Sequence, residues 1–244
     1  MRLLEYLNNE DYCPLMEAGS ISPNIKTIRS VDFTTNCPKR REGRSCAYCY
    51  VEVARNMNFN AKKVIEHTPY KHELLRYDKD KIRLLNGMGG IRLFSFGDYM
   101  PEHDKDIKAF LDDAHKVGLK VKVITKVPEF VEKYANHPAM NVIHVSVDTI
   151  GDGMNHETAK ALKKKYGNVM IRTVILKPED LKHEIMQDVD VYTFNHGRGL
   201  KKYGFKMYSK KEVAQMAKEI PGKVCCATGK CVSCDIKCGE TGKR

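Results

Sequence analysis

Three cysteines, Cys37, Cys46 and Cys49, stand within thirteen positions in the stretch CPKRREGRSCAYC (37–49). A C-x-x-C turn brings two thiolates onto one metal, and the eight-residue excursion after Cys37 lets that residue return as a third ligand. Four-iron clusters are held by cysteine thiolates, normally one per iron, so three thiolates leave one iron open. An open position is what a catalytic metal site keeps, whereas a structural site is closed. The same spacing admits a zinc ion with a distant fourth ligand, His67 or a C-terminal cysteine.

A second group lies in VCCATGKCVSCDIKCGE (224–240). Cys226, Cys231, Cys234 and Cys238 supply four ligands in thirteen residues. Their spacing opens like plant-type iron–sulfur proteins and closes like bacterial ones. Gly229 and the small residues around it let the chain wrap a cluster, and either Cys225 or Cys226 can serve as the first ligand. A structural zinc ion held by four thiolates is the alternative. Either metal explains how a segment without an apolar core folds. Of the nine cysteines in the chain, Cys13 alone stands apart from these groups.

The elements that must position these groups alternate in type. Strands are expected at 31–37, 91–96, 120–125, 141–148, 168–176 and 189–194. Helices are expected at 50–59, 70–86, 106–118, 128–137, 155–167, 177–186 and 209–220, with Leu74, Leu75, Ile82 and Leu85 near one face of the second. Alternating β and α predicts a parallel sheet with right-handed crossovers. The strands are nearly continuous apolar runs, as expected when both faces are covered. Six βα units are too few for a closed barrel of eight, so an open partial barrel and a doubly wound sheet both fit the pattern. The three-cysteine loop falls at the carboxyl end of the first strand, where such sheets bind ligands.

Composition narrows the class. The 244 residues are 42% hydrophobic, enough for one large domain or one domain with an appendage. No apolar run approaches the roughly 18 residues of a membrane span. The N-terminal stretch carries acidic residues and no long apolar segment, so it makes a poor signal peptide and a cytoplasmic location is expected. That compartment keeps thiols reduced, which favours metal over disulfides for the cysteines. The net charge of +11 fits attraction to a polyanion, and it fits equally a lysine-rich surface that keeps the chain in solution.

With Tyr48 directly before its third cysteine, CPKRREGRSCAYC (37–49) resembles the loop of the radical S-adenosylmethionine (radical SAM) superfamily. The common family spacing is C-x3-C-x2-C, and this chain has eight residues in the first gap. The layout is similar to short phage and bacterial radical SAM-like proteins that end in a compact cysteine knot. The resemblance implies an α/β fold, a partial (β/α)6 TIM-like barrel over residues 1–208. Residues 209–244 would add a helix and a small cysteine-rich iron–sulfur appendage. It implies a [4Fe–4S] cluster on Cys37, Cys46 and Cys49 whose open iron is chelated by S-adenosylmethionine. One electron, from a donor such as flavodoxin or ferredoxin, would cleave the sulfonium bond, and the 5′-deoxyadenosyl radical would take a hydrogen from substrate. The C-terminal cysteines would hold a second [4Fe–4S] cluster, with zinc as the alternative.

Other strand ends carry candidates for the same site. In FSFGDYM (94–100), Gly97 permits close backbone approach and Asp98 can accept from the amino group of the bound methionine. An ordinary turn after a strand is the other explanation. Ser146 and Asp148 alternate onto one face in HVSVDT (144–149), where the family binds ribose hydroxyls or the carboxylate. Asp148 can instead cap the following helix. Arg172 lies inside an otherwise apolar strand, and its charge needs either a ligand carboxylate or a neighbouring aspartate. Thr125 and Lys126 end the third strand, where they could face substrate, and Asn195 and His196 close the sixth, where they could line the pocket, a loop histidine without a role being the alternative for His196.

The basic, aromatic stretch 196–211 is a candidate lid, where cations grip phosphates and aromatics stack on bases, or else a plain solvated loop. RNA, a peptide or a small metabolite is admissible as substrate. A zinc-containing nucleic-acid-binding protein without catalysis is the competing function. A protein that only transfers electrons would not need so large a β/α array.

Overall fold

The computed structural model describes residues 15–16, 30–34, 36–42, 46, 70–87, 89–94, 97–194, 204, 208–220 and 223–225. One sheet organises them. Its strands are β1 (Leu15–Met16), β2 (Ser30–Val31), β3 (Ile91–Leu93), β4 (Val121–Thr125), β5 (Met140–Val147), β6 (Val169–Ile175), β7 (Val191–Phe194) and β8 (Lys223–Cys225). They lie side by side in chain order. β1 is antiparallel to β2, and every neighbouring pair from β2 to β8 is parallel.

That order decides between the two architectures left open above. A doubly wound sheet reverses its strand order at a switch point, which places helices on both faces. Here the order never reverses, so right-handed crossovers put the described helices that connect parallel strands on one face. The sheet curls away from them into an open half-barrel. α3 (Asp104–Lys116), α4 (Pro128–Tyr134) and α5 (His156–Lys165) form the outer layer. Ile107, Phe110, Phe130 and Leu162 from these helices share one core with Leu93, Val123, Val145 and Ile171 from the strands.

The opposite, concave face is different. Arg92 stands beside Lys122 in register, His144 beside Met170, and Ser146 beside Arg172. These residues alternate with the apolar ones that face the helices. Lys122, His144, Ser146 and Arg172 are all buried, and Val142, Met170 and Val191 make a small separate apolar cluster. Both faces are therefore covered, and the outer one carries no buried charge on β3 to β7, its polar residues there being small ones such as Thr125 and Thr173.

The expected strands are present, with earlier ends at β2 and β3. Phe94, with φ 60, turns the chain directly after β3. β1 and β8 are additional, and runs of two and three residues are too short to show a period. α6 (Lys210–Glu219) starts on a reciprocal capping box between Ser209 and Glu212, and its Val213 joins the main core. Gly118, with φ 72, follows the end of α3, and Pro128 opens α4.

Two expected helices are not continuous. Residues 70–86 form a 3-10 turn at Glu73–Arg76 and then α2 (Lys79–Gly87). Tyr77 is extended between them, and Asp78 accepts from Lys81 N at 2.6 Å to start the second piece. The break rotates Leu75 out of the core, to 48% exposed, while Leu74 stays at 0%. Residues 177–186 form two 3-10 turns, Pro178–Lys182 and Glu184–Asp188, separated by an extended His183. Buried Asp180 accepts from Leu176 N and Lys177 N, local bonds that compete with a helix. The helix expected at 50–59 lies outside the described residues.

Among the described residues no helix is long and apolar enough to cross a membrane. The break in 70–86 is tested by two truncations. Leu74→Ala is expected to cost about 2–5 kcal/mol in urea denaturation, and Leu75→Ala to stay within about 0.5 kcal/mol. Equal losses would mean that both leucines face the core.

Candidate functional site

The carboxyl ends of the strands gather at one rim, and β2 delivers Cys37 there. Thr34 Oγ1 accepts from Asn36 N at 2.9 Å, and Asn36 Oδ1 accepts from Cys37 N at 3.2 Å. The Cys37 carbonyl then accepts from Arg41 N, opening the short α1 (Pro38–Arg41). Side-chain bonds of this kind hold a turn without a ladder. The Asn36 carbonyl also accepts from Asp98 N at 2.9 Å, which joins this turn to the segment after β3. A Cβ on Gly97 would lie 2.4 Å from Thr34 O and 2.5 Å from Asn36 O. Gly97 is thus required for two strand exits to touch.

Asp98 is 8% exposed, and both of its carboxylate oxygens are engaged within the chain. Oδ1 accepts from Thr125 Oγ1 at 2.5 Å and from Tyr99 N at 2.8 Å, and Oδ2 accepts from Lys126 N at 2.8 Å. Burial pushes its carboxyl above the usual range, against the opposing pull of the bonds from Thr125, Lys126 and Tyr99. The effect is to hold the end of β4 against the segment after β3, with Lys126 set on the rim.

Lys126 faces the second described cysteine. Its Nζ lies 3.2 Å from Cys46 Sγ, 3.0 Å from the Asp152 carbonyl and 3.8 Å from Asp148 Oδ2. Cys46 is half-buried, and its Sγ is 3.7 Å from the same Asp152 carbonyl. Lys39 Nζ reaches Asp152 Oδ1 at 2.7 Å. The loop that presents Asp152 is self-supporting. Asp148 Oδ1 accepts from Ile150 N at 3.2 Å and Asp152 N at 2.8 Å. Gly153 packs so closely that a Cβ would lie 2.7 Å from Ser146 O. Asp148 shapes this loop, and the cap of α5 is Asn155, which accepts from Thr158 N.

The rim therefore brings together Cys37, Cys46, Gly97, Asp98 and Asp148, with Ser146 and Arg172 side by side below it on the concave face. Tyr48, Cys49, Cys226, Cys231, Cys234, Cys238, Asn195, His196, His67 and Cys13 lie outside the described residues. Cys225 occupies the last position of β8, in register with Thr193. Among the described residues no group of three or more potential metal ligands converges, and only two thiols of the first loop are among them.

Two half-buried thiols at one rim, one of them 3.2 Å from the Lys126 ammonium, are side chains of the kind that ligate soft metals. Lys39 and Asp152 were missed by sequence reasoning. Their partners lie 113 and 106 residues away, and the only local hint is a charged residue between glycines, GDG (151–153).

No protein-family model matches the chain, and no curated protein matches it in sequence.

The state of Asp98 has a consequence for stability. A folded-state value raised above 3.8 means that protonation favours the fold. The contribution is complete below the unfolded value and is lost as pH rises through the folded one. Asp98→Asn removes this titration. The stability of the wild type minus that of the variant is expected to fall between acidic and neutral pH in denaturant titrations. A difference that grows with pH would contradict the assignment.

Proposed function

We propose that this protein is a radical SAM enzyme that holds a [4Fe–4S] cluster on Cys37, Cys46 and Cys49. The observation that carries the proposal is the position of Cys37 and Cys46. Both thiols lie at the carboxyl rim of a parallel half-barrel, and Cys46 lies 3.2 Å from the Lys126 ammonium. Ligands bind at this rim in β/α barrels.

A cluster held by these thiolates would, with S-adenosylmethionine bound, supply the one-electron chemistry that cleaves a sulfonium and allows hydrogen to be taken from substrate. The chain's own residues supply position. Gly97 and Asp98 fix the exits of β2, β3 and β4 relative to one another. Ser146 and Arg172 offer a hydroxyl and a guanidinium on the concave face, suited to ribose hydroxyls and a carboxylate. Tyr48 is assigned to the cofactor side of the cysteine loop. Cys226, Cys231, Cys234 and Cys238 are assigned a second [4Fe–4S] cluster, with zinc as the alternative metal. The electron donor belongs to the flavodoxin or ferredoxin class. The substrate class is open between nucleic acid, peptide and small metabolite.

Anaerobic reconstitution with iron and sulfide tests the proposal. A brown protein with about seven to eight iron atoms is expected for two clusters, and about four if the C-terminal segment holds zinc. Reductant and S-adenosylmethionine should then yield 5′-deoxyadenosine, and Cys46→Ala should abolish it. Product formed unchanged by that variant overturns the site. Colourless protein that holds zinc alone supports a nucleic-acid-binding protein without catalysis.

A further inference from the structure

Lys126 is drawn into the rim by two independent sets of contacts. Its backbone N–H is held by Asp98, and its Nζ spans Cys46 Sγ, the Asp152 carbonyl and, at 3.8 Å, Asp148 Oδ2. These partners come from the cysteine loop, the segment after β3 and the loop after β5. The side chain is only 24% exposed, so its charge acts through a medium less polar than water. A flexible lysine gives up rotamer freedom to be held at both ends in this way.

We infer that Lys126 is a positioning residue for the cluster. Its ammonium supplies the positive charge beside the Cys46 sulfur and clamps the Asp148–Gly153 loop over that ligand. The inference rests on the radical SAM assignment. A cation next to a thiolate ligand stabilises the more negative, reduced cluster relative to the oxidised one, and hydrogen bonds to ligand sulfur act in the same direction. Partners beyond the metal's own ligands typically change metal affinity or activity by about 10–100-fold. Lys126 therefore makes the cluster easier to reduce. Aspartates of the same loop hold the ammonium in place: the Asp148 carboxylate from one side and, through its carbonyl, Asp152 from the other.

The test compares wild type with Lys126→Met, Lys126→Gln and Lys126→Arg after anaerobic reconstitution. The measurements are iron content and the midpoint potential of the paramagnetic signal that changes when S-adenosylmethionine is added. That criterion separates this cluster from any other. The two neutral variants are expected to keep wild-type iron and to reduce at least tenfold less favourably, a shift of about 59 mV to more negative potential for one electron. Arginine, which keeps the charge, should retain the wild-type potential.

Glutamine keeps a donor for the Asp152 carbonyl, so it carries the comparison if the methionine variant fails to fold. Wild-type potential in the glutamine variant at full iron overturns the role of Lys126 and leaves the enzyme assignment intact. So does weakened S-adenosylmethionine binding at unchanged potential, which would assign the ammonium to the ligand. A wild-type protein that takes up no iron–sulfur cluster overturns both.

Discussion

Asp98 lies buried between the carboxyl ends of β3 and β4, and its carboxylate ties Tyr99, Thr125 and Lys126 into one unit. The same residue donates its backbone N–H to Asn36, next to Cys37. Three strand exits are therefore fixed by one side chain and one amide. The cost is a carboxyl desolvated enough to move its titration upward. A buried carboxylate that loses any of its donors leaves a charge unmet, so the bonds are strongly interdependent.

The device recurs around the rim. Asp148 holds the loop after β5 by accepting from Ile150 N and Asp152 N. Asp180, buried after β6, accepts from Leu176 N, Lys177 N and Thr149 Oγ1, which joins its own turn to the loop after β5. Parallel strands need long connections and lack the tight-turn bonds that would join neighbouring exits directly. A short acidic side chain pointing back at main-chain N–H groups supplies them instead. Asn36, Asp98, Asp148 and Asp180 thus follow β2, β3, β5 and β6, and Lys126 follows β4 between the second and third. The rim is a polar structure laid over an apolar barrel wall, which lets it carry charged and thiol groups without disturbing the core.

Much of this was legible from local signals. Helix starts at Pro128, Asn155 and Ser209, and the stop at Gly118, are set by residues within a turn of the boundary. The parallel sheet followed from alternation alone. Cys37, Gly97, Asp98 and Asp148 were recognisable because each sits at a strand end. Their individual jobs were not, because those jobs depend on partners far along the chain. Gly97 is a glycine because of Thr34 and Asn36, and Asp98 is buried because of Thr125. The failures at 70–86 and 177–186 share one cause. Asp78 and Asp180 compete locally for backbone N–H groups, and an apolar period read across them hides the interruption.

The choice between half-barrel and doubly wound sheet was also present in the strands, as a pattern of period two. On the concave side β4 carries Lys122, β5 His144 and Ser146, and β6 Arg172, while the polar residues on the helix side are the smaller Thr125, Asn141 and Thr173. All four fall on one face by register, and all four are buried. In a doubly wound sheet that face lies under helices, whose apolar stripes give such groups little to bond with. In a half-barrel the same residues converge on a shared interior, where they meet one another, the covering chain or a ligand. Lys122, His144 and Arg172 each have partners within the chain. Charged and hydrogen-bonding side chains gathered on one side of successive parallel strands are therefore the sequence form of a sheet that keeps its helices on the other side.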